Sequence, residues 1–170
     1  MSWITVIWSM VGSACLTLAA MHLMVWCKQR NAWANLLFSL AALASAGTAA
    51  CELWMMRAET PAEYGLAVRW IHLPVWVMIL ALVGFVRVHL RAGRVWLAWT
   101  VCGLRTVSLG LDFLFSPNLN YREITGLQPF SFLGETVATA VGVPNPWMLV
   151  AQASLLAFIG FILDGAVLYI

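Results

Sequence analysis

Charged side chains are scarce in this chain of 170 residues, in which Asp, Glu, Lys and Arg make up 9% and hydrophobic residues 63%. Residues 3–27 contain none of these four charged types, and the whole chain contains a single lysine, Lys28. The net charge of +2 is spread along the chain, which excludes the basic surface that a nucleic-acid partner needs. So little charge also excludes an ordinary water-soluble surface, because soluble domains carry about 25% charged residues.

Sequence motifs of catalysis are missing as well. The chain has no GxSxG, HExxH, P-loop or Rossmann pattern, so we expect no enzyme activity in it. A retinal Schiff base is excluded because Lys28 follows the first apolar segment instead of lying within a span. The four cysteines, Cys15, Cys27, Cys51 and Cys102, are too far apart for a CxxC metal site or a disulfide framework, and we expect buried thiols.

Long apolar segments are abundant, and the mean hydropathy is +0.90. A helix needs roughly 20 apolar residues to cross a bilayer core about 30 Å thick. The segments long enough are residues 3–27, 32–56, 66–88, 95–115 and 147–170. The predicted fold is therefore an all-α, polytopic transmembrane helix bundle of about five spans, forming one membrane domain over residues 1–170. The first segment lacks a basic n-region and a cleavage site, so it is a retained span.

Basic residues predict the orientation of the spans. The connection after the first span holds Lys28 and Arg30, and the connection after the third holds Arg87, Arg91 and Arg94. The positive-inside rule assigns both connections to the cytoplasm, with the N-terminus outside and the C-terminus inside. Tryptophans near the predicted span ends support these limits, since indole rings favour the headgroup layer. They are Trp3, Trp26, Trp33, Trp54, Trp70, Trp96 and Trp147.

Two further features of the sequence are the composition of the second span and the length of the fourth connection. The second span is rich in alanine, which favours close helix packing and a central place in the bundle. The connection over residues 116–146, predicted outside, is unusually long, and long connections are more often functional than incidental. Its part 130–143 is apolar but too short to cross the membrane, so we expect a re-entrant or interfacial segment there. Because the sequence ends within an apolar run at Ile170, we also expect a longer protein.

Polar residues inside the spans predict a site in the outer half of the membrane, because such residues are costly there and normally face the bundle interior. The candidate ligand-binding residues within spans are Glu52, Arg69, His72, Arg105 and Asp112. Loop residues expected to cap this pocket are Asn118, Asn120, Arg122 and Glu123. Ser108 and Gln152 accompany them. In this hypothesis Glu52 and Asp112 pair with Arg69 and Arg105; a salt-bridge network that only fixes packing is the alternative.

Cofactors are not implied by the sequence, although several candidates stay open. His72 and His22 are candidate metal or axial ligands, so one haem or chlorin with a single histidine ligand is compatible with the chain. Two histidine ligands to one iron are not compatible with the chain, because His22 lies near the inner end of the first span and His72 near the outer end of the third. A copper site with Cys51 and Met55 near His72 is a weaker alternative. On the inner side, His22 and Asp164 are expected at similar depths, so either they form a pair or His22 is a lone structural histidine.

Several stretches resemble the N-terminal multi-span membrane region of proteobacterial sensor histidine kinases that carry PAS domains downstream. They are residues 51–64 (CELWMMRAETPAEY), 69–76 (RWIHLPVW), 91–99 (RAGRVWLAW), 117–123 (PNLNYRE) and 144–147 (PNPW). The likeness runs from about His22 to Asp164. It implies a sensory module of a two-component system in the bacterial inner membrane, with an output domain after residue 170. The chain itself has no phospho-acceptor helix, nucleotide-binding domain or PAS domain.

The function predicted from these features is a membrane-embedded signal-input domain with a polar pocket on the extracytoplasmic side for a ligand, ion or cofactor. The alternative is an accessory subunit, structural or pigment-holding, of a larger membrane complex. A small transporter that uses the polar stripe from Arg105 to Asp112 is a third hypothesis, weakened by the absence of an internal repeat. Expected partners are the lipid bilayer and either further copies of the chain or a larger complex.

Overall fold

The computed structural model describes residues 2–132 and 134–169. Its helices are α1 (Trp3–Lys28), α2 (Trp33–Met56), α3 (Pro61–Phe85), continued by a π-helical segment (Val86–Leu90), α4 (Val95–Leu114) and α5 (Met148–Tyr169). Two strands, β1 (Tyr121–Phe132) and β2 (Glu135–Pro144), lie between α4 and α5. The described chain contains five helices long and apolar enough to cross a membrane. The predicted polytopic helix bundle is confirmed, with a small sheet in addition.

The third span begins earlier than its apolar run suggests, at Pro61 instead of residue 66. Thr60 is the N-cap, and its hydroxyl accepts a hydrogen bond from the Glu63 backbone N–H at 3.1 Å. Proline is suited to the first helical position because its missing N–H would have no partner there. The sequence Thr-Pro-Ala-Glu is thus a helix start, and the charged Glu63 lies within α3.

The helices pack in chain order, each against the next, with α2 between α1 and α3. Small residues bring α2 and α3 close together: a Cβ on Gly47 would lie 3.3 Å from Pro74 Cβ. Four alanines of α2 are buried, namely Ala41, Ala42, Ala44 and Ala49. This agrees with the central place that the alanine-rich sequence predicts for the second span.

The strands β1 and β2 form an antiparallel β-hairpin, so the apolar part 130–143, expected to be a re-entrant or interfacial segment, is β-structure in its described residues. Phe132 pairs with Glu135, and Gly134 has a positive φ of 77° in the turn. Val137, Thr139, Val141 and Val143 give β2 a high strand propensity, and backbone pairing satisfies the groups that a lone segment would leave exposed to lipid. The hairpin packs against α2 and α3. We call this side of the bundle the hairpin end.

The opposite side, which we call the basic end, carries the connections with Lys28, Arg30, Arg87, Arg91 and Arg94. A hydrophobic core lies towards this end, where Phe161 of α5 is fully buried between α3 and α4. Its other buried members are Ile79, Val83, Val86, Ala98 and Val101. The bundle therefore holds its apolar core towards the basic end and leaves the hairpin end for polar side chains.

Candidate polar site between helices α3 and α4

Four buried polar side chains meet between α3 and α4, just below the hairpin. We call them the polar core: His72 of α3, and Arg105, Ser108 and Asp112 of α4. The three α4 residues lie at i, i+3 and i+7, so they share one face of that helix. Their relative exposures are 6% for Arg105 and 0% for Ser108 and Asp112, against 6% for His72. The polar stripe predicted for the fourth span is therefore an inward-facing one.

Several atoms of the polar core have no hydrogen-bond partner among the described residues. They are both ring nitrogens of His72, the Ser108 Oγ and the Asp112 Oδ2. His72 Nε2 lies 3.8 Å from Asp112 Oδ1, which is within ion-pair range but too long for a hydrogen bond. Each unsatisfied buried polar group costs about 1–3 kcal/mol. The polar core therefore holds unsatisfied donors and acceptors in the interior of the bundle.

Arg105 was expected to have a carboxylate partner, and this prediction is wrong for the described chain. The ion pairs found there join His72 with Asp112 and Arg94 with Asp164, and none includes Arg105. Asp112 lies two helical turns from Arg105, about 10 Å along the α4 axis. The guanidinium can approach the carboxylate only by extending along the helix. Arg105 and Asp112 therefore place one positive and one negative charge in the same buried site without a direct ion pair.

Asp112 connects the polar core to the first residues of the hairpin connection. Its Oδ1 accepts a hydrogen bond from the Leu119 backbone N–H at 2.8 Å, and both residues are fully buried. Neighbouring Asn118, also fully buried, donates to the Gly65 carbonyl of α3 at 3.1 Å. The side-chain oxygen of Asn118 accepts from the Asn120 and Tyr121 backbone N–H groups. Residues 118–120, which we call the hairpin root, are thus fastened to both α3 and α4.

Asn145 extends this network to α5. Its backbone N–H donates to the Asn120 carbonyl at 2.9 Å, and its side-chain oxygen accepts from the Trp147 N–H at 3.2 Å. Sequence reasoning noted the Pro-Asn-Pro-Trp stretch but missed the role of Asn145. An asparagine between two prolines marks a turn, because its side chain hydrogen-bonds to the backbone two residues on. That pattern was the signal available for it.

Arg69 lies near the polar core and binds the end of α4. Its Nη2 donates to the Phe115 carbonyl at 2.6 Å, while its buried Nε has no partner among the described residues. A cation at a helix C-terminus satisfies a free carbonyl and interacts favourably with the helix dipole. Arg69 therefore holds α3 against α4 and forms no ion pair with a carboxylate in the described chain.

The remaining predicted site residues lie elsewhere. Glu52 accepts a hydrogen bond from Trp8 Nε1 at 3.0 Å, so its side chain extends towards α1 and not towards the arginines. Arg122 and Glu123 are exposed on β1 and do not cap the polar core. Gln152 is exposed on α5. Of the four predicted capping residues, only Asn118 and Asn120 belong to the network around the polar core, because β1 turns away after Asn120.

Of the two alternatives for His22, the pair with Asp164 does not form. His22 Nδ1 lies 2.8 Å from Asn35 Oδ1 of α2, and Asp164 Oδ1 lies 3.2 Å from Arg94 Nε at the start of α4. Each partner is a polar group on the neighbouring helix. Within residues 2–132 and 134–169, no three His, Cys, Asp or Glu side chains come close enough together to hold a metal ion. Cys51 instead lines an apolar groove between α2 and α3.

Outside the membrane spans, one carboxylate joins the hairpin turn to α1. Glu135 of β2 accepts hydrogen bonds from the Ser2 hydroxyl and the Trp3 backbone N–H. These bonds, the Ser2 hydroxyl first, lower the pKa of Glu135 below its ordinary value of 4.5. A carboxylate at a helix N-terminus is also favoured by the helix dipole. The hairpin is thereby attached to α1 as well as to α3 and α4.

Fold and composition together define a multi-pass helical membrane protein with a β-hairpin at one end of the bundle. Comparison with protein families, with characterised proteins and with solved structures finds no match for this chain. The function is therefore argued from the geometry of its own residues.

Proposed function

We propose that this protein is a membrane-embedded signal-input module whose polar core receives the input as a proton or a small ion. The observation that carries the proposal is the set of unpartnered atoms on His72, Ser108 and Asp112, which converge in the interior of the bundle. Ionisable groups in such positions are costly to keep, and they normally mark a ligand, ion or proton site. Arg105 and Arg69 add positive charge from α4 and α3.

The route from the polar core to the rest of the molecule is the reason for proposing a signal. A change in the charge of Asp112 acts on the Leu119 N–H, which Asp112 holds directly. From the hairpin root, the hydrogen bonds of Asn145 continue to the start of α5. An occupant shifts the balance between two packings only by its different affinity for them. The hairpin root is the element whose packing would differ.

The orientation and the type of membrane are part of this proposal. Five of the nine basic residues, those of the basic end, lie in connections opposite the hairpin, whereas Arg57 and Arg122 at the hairpin end stand beside acidic residues. By the positive-inside rule this favours a cytoplasmic basic end and an extracytoplasmic hairpin. The polar core then lies in the outer half of the membrane. The resemblance to the membrane regions of sensor histidine kinases favours a bacterial inner membrane and signal transduction to a cytoplasmic output domain.

The experiment is a binding test on the purified chain in lipid nanodiscs. Protons, zinc chloride and sodium chloride are titrated separately, and thermal unfolding is followed by tryptophan fluorescence. A ligand of the folded state raises its stability by about 2.7 kcal/mol at a hundredfold excess over its Kd. We expect at least one probe to raise the unfolding midpoint of the wild type, and we expect His72→Gln to abolish that shift.

Glu123→Gln is the matched control, because it removes an exposed titratable group at the same end of the bundle. It should respond to each probe as the wild type does. The proposal fails if no probe shifts the midpoint, or if His72→Gln and the wild type respond equally.

A second function, that of an accessory subunit in a larger complex, is favoured by one observation. α1 is exposed over most of its surface, and only Ile4 and Ala19 of its 26 residues are buried. An apolar helix that packs on a single neighbour leaves a wide face for lipid or for a partner. Co-purification of a defined larger assembly under mild detergent would support this function, and a monodisperse single chain would count against it.

A further inference from the structure

Two large grooves meet at Arg57, the residue that follows the last turn of α2 at the hairpin end. The first, with a volume of about 500 Å³, lies between the connection from α2 to α3 and the hairpin. It is lined by Arg57, Glu59 and Gln128 together with apolar residues such as Leu127 and Val137. We call it the upper cleft. Its volume is in the range of small-molecule sites.

The second groove, of about 520 Å³, runs along α1 and we call it the lower groove. Its lining combines apolar Val6 and Met10 and the guanidinium of Arg57 with four hydroxyl residues, Ser2, Thr5, Ser9 and Ser13. Eleven residues of helix cover about 16 Å. This length matches one leaflet of a bilayer, since the whole hydrocarbon core is about 30 Å thick. Arg57 is thus at the junction between a polar cleft at the membrane surface and a groove one leaflet deep.

Charge supports an amphiphilic ligand at this junction. Arg57 and Glu59 are both exposed, and neither forms an ion pair with a described residue. The guanidinium of Arg57 donates a hydrogen bond to the Thr5 hydroxyl of α1, a neutral partner that leaves its charge uncompensated. A guanidinium is well suited to phosphate because of its planar set of donors. The carboxylate of Glu59 on the same cleft suits a cationic amine.

We propose that this junction binds one phospholipid with an amine headgroup of the ethanolamine type. The phosphate lies on Arg57, the ammonium group lies in the upper cleft near Glu59, and one acyl chain follows the lower groove along α1. Neither groove is lined by a residue of the polar core, so the site is separate from the polar core and from the function proposed for it. It would help to fix the position of α1, in addition to the packing of α1 on α2 and the contact of its first residues with Glu135.

The test uses native mass spectrometry of the delipidated chain with phosphatidylethanolamine or phosphatidylglycerol added. We expect the first phosphatidylethanolamine to bind more tightly than the first phosphatidylglycerol. Arg57→Gln should weaken both by about fivefold, the usual effect of one basic residue at a membrane surface. Glu59→Gln should remove the preference for phosphatidylethanolamine and leave the affinity for phosphatidylglycerol unchanged or higher.

Arg122→Gln and Glu123→Gln are matched controls, since this exposed pair on β1 has the same charges at the same end but lines neither groove. They should leave both affinities unchanged. Equal losses in the Arg57 and Arg122 variants, or a preference that survives Glu59→Gln, would overturn the proposal. Displacement of the lipid by inorganic phosphate would also overturn it, because the lower groove would then contribute nothing.

Discussion

Replacing Asp112 should loosen the hairpin root without unfolding the bundle. In Asp112→Leu, the Leu119 N–H loses its acceptor at 2.8 Å while it stays fully buried. An unsatisfied buried donor costs about 2 kcal/mol, which corresponds to about thirtyfold faster exchange of that amide hydrogen. Overall stability is a poor readout of this hydrogen bond, because Asp112→Leu also removes the carboxylate of the polar core and leaves the buried Arg105 guanidinium without its counter-charge, which is destabilising by itself. The measurement is therefore hydrogen exchange of residues 118–121 in nanodiscs.

Two variants separate the hydrogen bond from the charge. Asp112→Asn keeps a side-chain oxygen that accepts from Leu119, so exchange should rise far less than in Asp112→Leu. Glu123→Gln, exposed on β1, should leave exchange unchanged. If the Leu119 amide is equally protected in wild type and Asp112→Leu, the polar core does not hold the hairpin root. If Asn is as damaging as Leu, the charge and not the hydrogen bond is responsible.

Two further predictions concern the two ends of the bundle. At the basic end, Gly93 has a positive φ of 78°, and a Cβ there would lie 2.5 Å from Phe161 Cε2. Gly93→Ala should therefore cost about 2–4 kcal/mol in thermal unfolding, from backbone strain and overpacking together. At the hairpin end, the lowered pKa of Glu135 means that the contact with α1 stabilises the protein above the ordinary value of 4.5 and is lost as the pH falls through the folded-state pKa. Acid should lower the protection factor, which is the intrinsic exchange rate divided by the observed rate, for amides at the start of α1 in wild type, and Glu135→Gln should remove this pH dependence of the protection factor.

Controls for both predictions lie within the same parts of the fold. A Cβ on Gly103 of α4 would meet no heavy atom of a neighbouring element within 4 Å, so Gly103→Ala should not reduce stability. A loss as large as that in Gly93→Ala would contradict the packing argument. For the acid-sensitive contact, Glu123→Gln should retain the wild-type pH dependence. An unchanged pH dependence in Glu135→Gln would show that another group is responsible.

Hydropathy and helical periodicity predicted the features that depend on a single helix. The five spans follow from apolar length, and the inward stripe of Arg105, Ser108 and Asp112 follows from positions one and two turns apart on α4. The same reasoning missed the start of α3, because charged Glu63 was assigned to a connection. The signal of a helix start, Thr60 followed by Pro61, was present in the sequence.

Contacts between helices could not be derived in this way. Glu52 and Arg105 were expected to meet a charge of opposite sign, but long side chains reach partners that depend on helix order and rotation. Glu52 binds Trp8 of α1 because α2 lies between α1 and α3. The hairpin was missed because a short apolar run fits either an interfacial helix or a strand. Only the pairing with a second strand shows which of the two forms.

The measurement that tests the central claim most directly is hydrogen exchange at the start of α5, over residues 145–150, as the pH is varied. The claim is that the charge state of the polar core is transmitted through the hairpin root to α5. We expect the protection factor of these amides, which divides out the intrinsic pH dependence of exchange, to change with pH in wild type and in Glu135→Gln. We expect His72→Gln and Asp112→Asn to lose this change in protection. The same pH dependence in all four proteins would contradict the claim, because the polar core would then be a packing network without a signalling role.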